Sequence, residues 1–132
     1  MKIAMELMPT YRTRGIPVPD CKGGLPRWQL RRLIDYIQNS LSDRFTVREL
    51  VRVTNLSGYH LGKAFKRSTG LTLHQYVICQ RIYKAQYLLL NTHYPLSEIA
   101  GATGFASQSH FTRVFRQYAQ MTPGEWRRSI NS

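Results

Sequence analysis

From Pro26 onward the apolar residues of this chain fall at helical spacing, and no segment alternates convincingly with a period of two. Leu30, Leu33, Ile34, Ile37 and Leu41 follow i, i+3, i+4, i+7 and i+11, the stripe of one amphipathic helix, with Pro26 suited to its first turn. Thr46-Val47-Arg48-Glu49 then has the form of a capping box: the threonine hydroxyl takes an orphan N–H and the glutamate reaches back. The short helix that follows ends at Asn55, because asparagine tolerates the left-handed conformation of a sharp corner. Ser57 caps the next helix, which has Leu61, Ala64 and Phe65 on one face and Tyr59, Gly62, Lys63, Lys66 and Arg67 on the other, and Gly70 closes it. Thr72-Leu73-His74-Gln75 is a second capping box. It opens a longer helix to about Asn91, with Leu73, Val77, Ile82, Ala85, Leu88 and Leu89 as its apolar positions. Pro95 starts a short helix from Leu96 to Thr103 that Gly104 ends. Ser107 caps another, with Phe111, Val114 and Phe115 inside and Gln108, Ser109, Thr112, Arg113 and Arg116 outside. Thr122-Pro123-Gly124-Glu125 caps a last helix through Trp126 to about Ile130. The pattern predicts an all-α fold of about seven helices.

Part of this pattern occurs twice, fifty positions apart. Ser57, His60, Phe65 and Thr72 recur as Ser107, His110, Phe115 and Thr122, and Leu61, Lys63 and Lys66 as Phe111, Arg113 and Arg116. Upstream of the serines the register shifts by one, so that Leu50, Thr54, Asn55 and Leu56 match Ile99, Thr103, Gly104 and Phe105, the extra residue being Ala106. A small polar residue, a basic face and an aromatic anchor repeated together imply one surface presented twice. The reading divides the chain into an arm or linker, residues 1–25, a first helix-turn-helix subdomain with the long linker helix, residues 26–91, and a second subdomain, residues 92–132.

Charge indicates what that surface meets. With 19 Lys+Arg against 7 Asp+Glu the 132 residues carry a formal charge of +12, while 42% hydrophobic residues suffice for a core. A folded chain this basic needs a polyanion, and double-stranded DNA leads. A membrane surface is the weaker reading, because membrane binders concentrate charge on one amphipathic helix and here it is spread along the chain. The arm holds Pro9, Pro17, Pro19, Gly15, Gly23 and Gly24, with Lys2, Arg12, Arg14 and Lys22. It reads as a solvated tail that is able to touch phosphates, and as a native leader or the remnant of a linker. Cys21 and Cys79 have no partner at metal-site spacing, and Cys79 reads as a core thiol. No signal peptide or membrane span is recognised, which points to the cytoplasm.

Two short helices joined at a left-handed corner form a helix-turn-helix, whose second helix enters the major groove with its N-terminal side chains on the base edges. The corners here are Asn55 and Gly104. A helix from Thr72 to Asn91 spans roughly 30 Å, close to the ~34 Å between successive major-groove faces. It is therefore able to hold two reading helices, about 57–67 and 107–117, on one side of a duplex. From Gly23 to Ile130, over four-fifths of its length, the chain resembles the DNA-binding domain of the AraC/XylS family of bacterial transcription regulators. The resemblance lies in Ser57–Gly70, in the helix around Tyr76, Arg81, Ala85 and Leu88, and above all in Ile99–Arg116 together with Thr122–Trp126. It implies a seven-helix domain with two helix-turn-helix units and a central linker helix. It also implies that the base-reading positions fall on Tyr59, Gly62 and Lys63 in the first unit and on Gln108, Ser109, Thr112 and Arg113 in the second. Arginine suits guanine and glutamine suits adenine as bidentate partners. Ser57, Lys66, Arg67, Ser107 and Arg116 are then the phosphate contacts. Gly62 stands where the family places a longer side chain, and Gln120 where it often has glycine.

Other chemistry finds little support. Phe65, Phe111, Phe115, Trp126 and Tyr76 read as core. His60 and His110 have no companion ligands and read as packing residues or phosphate donors. Arg81 is open between a bridge to another helix and a phosphate contact. No carboxylate pair or nucleophile set supports an enzyme, and no cofactor or metal is assigned. The expected molecule is a sequence-specific, nucleoid-associated transcription regulator, monomeric or weakly dimeric. A helical module docking on RNA polymerase or a partner regulator is the alternative.

Overall fold

The computed structural model describes residues 23–43, 45 and 47–131. Residues 1–22 of the arm, Cys21 among them, and the Thr46 half of the first capping box lie outside the described residues. Seven helices and no strand occur among the described residues: α1 Arg27–Asn39, α2 Val47–Thr54, α3 Gly58–Thr69, α4 Leu73–Asn91, α5 Leu96–Ala102, α6 Gln108–Ala119 and α7 Pro123–Asn131. The fold is all-α, as the apolar spacing predicts. Pro26 and Pro95 stand just outside α1 and α5 as N-caps rather than inside the first turn.

The apolar stripes build two cores. Leu25, Leu30, Leu33, Ile34, Ile37 and Leu41 join Leu50, Leu61, Phe65, Tyr76, Val77 and Cys79 in the first. Ile78, Ile82, Ala85 and Leu89 join Ile99, Ala100, Phe105, Phe111, Val114 and Phe115 in the second. Helix α4 thus supplies both cores from opposite sides. This explains why its burial departs from the simple stripe expected: Ile78, Cys79 and Gln80 are buried, whereas Leu73 and Leu88 are only half-buried. The Gln80 side chain would be costly to bury alone, and it accepts a hydrogen bond from the Gln38 amide of α1. Burial pushes the Cys79 thiol up to about 11, as expected of a core thiol.

The two units repeat the same anchoring contacts at matching positions. Phe65 meets Tyr76 edge-on at 5.4 Å, and Phe115 meets Trp126 edge-on at 6.0 Å. The buried Thr54 and Thr103 end the first helix of each unit, their hydroxyls donating back to the carbonyls of Leu50 and Ile99 at 3.1 and 2.7 Å. Thr72 with Gln75 and Thr122 with Glu125 form reciprocal capping boxes on α4 and α7. Two arginines close the C-terminal ends of α1 and α4. Arg81 donates to the Leu41 and Asp43 carbonyls just past α1, at 3.1 and 2.9 Å. Arg127 donates to the carbonyls of Leu89, Thr92 and Tyr94 at the end of α4. Both sites place a cation at the negative end of a helix dipole. Of the two readings open for Arg81, the structure shows the bridge.

Truncating Phe115 to Ala should cost about 3–5 kcal/mol in urea unfolding, because its side chain is fully buried. The Thr122 backbone N–H, then the Thr122 side chain, hold the exposed Glu125 carboxyl below the usual range. A depressed carboxylate stabilises above its unfolded pKa, and that contribution is lost as pH falls through the folded value. The melting temperatures of the wild type and Glu125→Gln should therefore differ at neutral pH and converge in acid.

Candidate nucleic-acid interface

The exposed faces of α3 and α6 follow from how each helix begins and ends. Ser57 and Ser107 are extended N-caps, and their hydroxyls accept from the backbone N–H of His60 and His110 at 3.2 and 3.0 Å. The corners preceding them turn through Asn55, at φ 61°, and Gly104, at φ 84°. Gly70 and Gln120 both close their helices in the left-handed conformation, and their N–H groups donate to Lys66 and Arg116. The Gln120 turn is thus the same turn as at Gly70, made with a side chain that the conformation disfavours.

These constraints bury Leu61 and Phe65 on α3 and Phe111, Val114 and Phe115 on α6. The opposite faces are left to solvent. On α3, Ser57, Tyr59, Lys63, Lys66 and Arg67 are exposed and Gly62 is half-buried. Tyr59 is 70% exposed, and its ring lies under the Lys63 ammonium at 5.3 Å. The contact orders both side chains by an attraction worth ~0.5–1 kcal/mol at an exposed site. On α6, Ser107, Gln108, Ser109, Arg113 and Arg116 are exposed and Thr112 is half-buried. Neither helix contains an acidic residue. The first face opens into a depression lined by Gly62, Lys63, Lys66 and Arg67. The second has a larger groove lined by Gln108, Ser109, Thr112, Arg113 and Arg116.

The second groove also takes in Gln117, which the sequence reading did not single out, and Gln120 and Thr122, which it read only as a turn residue and a helix cap. Gln117 is legible as the residue one turn beyond Arg113. Gln120 and Thr122 reach the groove only because the α6–α7 corner folds back. His60 and His110 are local. His60 Nδ1 lies 2.9 Å from the Ser57 hydroxyl, and the His110 ring packs edge-on against Phe105 at 5.5 Å. Among the described residues no group of His, Cys, Asp and Glu is placed to hold a metal ion, and no helix is long and apolar enough to cross a membrane.

Known proteins share this arrangement. A family described as a helix-turn-helix domain matches residues 50–129, both units together. The chain belongs to the AraC-type helix-turn-helix family. It is 33% identical over 103 residues to the regulatory protein PocR of Salmonella typhimurium, covering 78% of this chain and 34% of that protein. It is 39% identical over 92 residues to a probable transcriptional regulator, LumQ, of Photobacterium leiognathi, covering 69% of this chain and 37% of that one. The chain thus spans about a third of the length of these curated relatives. The DNA-binding domain of AdpA, a global transcriptional factor solved in complex with a target DNA, is 27% identical with a TM-score of 0.72. That match covers 75% of this chain and 89% of that domain's chain.

Two substitutions test the local account. An added Cβ at Gly62 meets nothing within 4 Å, so Gly62→Ala should stabilise the fold by about 0.5–1 kcal/mol. Gln120→Gly relieves a left-handed side chain and should raise stability by up to about 1 kcal/mol. Thermal unfolding of the two variants checks both.

Proposed function

We propose that this chain is the DNA-binding part of a bacterial, cytoplasmic transcription regulator that lays α3 and α6 into successive major grooves of one duplex. The observation that carries the reading is the pair of acid-free, polar faces, each on a capped helix pinned from behind by aromatic residues, on a chain of charge +12. Residues 26–91 form the first reading subdomain with its linker helix and residues 92–132 the second. Helix α4, of 19 residues, is about 28 Å long, close to the ~34 Å between groove faces. One chain therefore covers two boxes as a monomer.

In the second unit Arg113 pairs with guanine and Gln108 with adenine, while Ser109 and Thr112 read adjoining edges. In the first unit Lys63 and Tyr59 read together. Lysine is a less directional partner than arginine, and Gly62 offers no side chain, so the first box is read less selectively. Lys66, Arg67 and Arg116 bind phosphates, and the capped N-termini at Ser57 and Ser107 lie against the backbone. The likeness to a domain solved on its target DNA supports this placement.

Selection from a random duplex library at physiological salt should enrich an asymmetric site with two boxes about one turn apart, the box read by α6 being the sharper. No enriched motif, with binding that vanishes above moderate salt, would sink the reading. Arg113→Ala should relax preference at one base position by about 1–3 kcal/mol, and uniform loss across sequences would remove its assigned role. Lys66→Ala should weaken all sequences alike and flatten the salt slope by about 1.

A further inference from the structure

The two helix-turn-helix corners perform the same turn in different surroundings. Asn55 is exposed at φ 61°. Gly104 sits at φ 84° against the other unit: a Cβ added to it would come within 2.1 Å of the Leu41 carbonyl oxygen and 2.8 Å of Arg81 Nε. That same carbonyl accepts from Arg81 Nε at 3.1 Å, and Arg81 Nη2 donates to the Asp43 carbonyl at 2.9 Å. The guanidinium carbon lies 5.5 Å from the Phe45 ring centre. Three pieces of chain therefore meet at one carbonyl: the turn after α1, the middle of α4 and the corner that orients α6. An asparagine there would satisfy the backbone angle and still collide with backbone, which flexes less readily than a side chain. A second contact ties the two cores. Tyr118, on α6 itself, packs against both cores, and burial raises its phenol pKa, with Cys79 as a further cause.

We propose that the joint of Leu41, Arg81 and Gly104, seconded by Tyr118, sets the distance and phase between the two reading helices, and so the number of base pairs between the boxes. The proposal rests on the two-groove reading above. Base-contacting side chains select the letters within each box, and the joint selects the gap. Adding one base pair to the gap moves one box by about 3.4 Å and turns it by roughly 35° about the duplex axis. A rigid joint cannot follow such a move without losing contacts, whereas a loose one can. Arg81 is a positioning residue here, since it acts through the Leu41 turn and the Gly104 corner.

The test uses the whole chain and duplexes carrying both selected boxes, with the gap varied one base pair at a time. The wild type should bind one gap best and lose about tenfold or more in affinity on either side of it, the scale of one mismatched base pair. Arg81→Gln and Gly104→Asn should flatten that preference to less than about threefold while leaving the letter preference within each box unchanged, and Asn55→Gly should leave both unchanged. If Arg81 only stabilised the fold, its variant would melt lower and keep the steep gap preference, and that outcome overturns the proposal. A steep preference retained by Gly104→Asn does the same. Should either variant not fold, the wild type decides. Spin labels on the exposed C-terminal turns of α3 and α6 should give one narrow distance distribution without DNA, and a broad one overturns the joint. A wild type that prefers no two-box duplex at any gap instead removes the two-groove reading beneath it.

Discussion

Everything in this molecule depends on α4 being buried from two sides. Tyr76, Val77 and Cys79 face the core behind α3, while Ile78, Ile82, Ala85 and Leu89 face the core behind α6. A helix shared in this way cannot rotate or slide to suit one unit without disturbing the other. Its capping box at Thr72 and Gln75 fixes where it begins, and Arg127 holds its end through three carbonyls. Each reading helix packs on it: Phe65 of α3 meets Tyr76 edge-on, and Phe111 and Phe115 of α6 share a core with Ile82, Ala85 and Leu89. The positions of the two basic faces therefore follow from burial together with the hydrogen bonds of Arg81 and Arg127.

The repeat is informative where its copies differ. Gly62 faces open space, so packing does not require glycine there, and Thr112 shows that the matching position accepts a side chain. Gly70 and Gln120 make one turn with unequal strain. Asn55 and Gly104 make one corner, and only the second is crowded by the neighbouring unit. The first two differences alter a surface or a turn. The third lies at the contact between the units, where the copies are not interchangeable because one must dock on the other.

What was legible in the sequence was local. Caps at Ser57, Ser107, Thr72 and Thr122, corners at Asn55 and Gly104 and the stripes of α1, α3 and α6 depend on neighbours within one turn, and the residues state them directly. The outward faces carrying Tyr59, Lys63, Gln108 and Arg113 were legible for the same reason, as the complement of an apolar stripe. What was not legible depends on partners some forty positions away. Arg81 to Leu41, Arg127 to Leu89 and Gln38 to Gln80 are long-range hydrogen bonds without a periodic signature. Helix α4 blurred the pattern for a related reason, since two opposed apolar faces leave no clean polar side. The groove at Gln120 and Thr122 needed the α6–α7 corner to be folded before it existed.

The central claim is that one chain presents two reading helices to one face of a duplex. Hydroxyl-radical footprinting of the selected site, at protein concentrations where sedimentation gives one chain per duplex, tests it most directly. The account predicts two protected stretches about one helical turn apart on the same face, appearing together at one concentration. A single protected stretch at one chain per duplex, with a second appearing only as another chain binds, would contradict it.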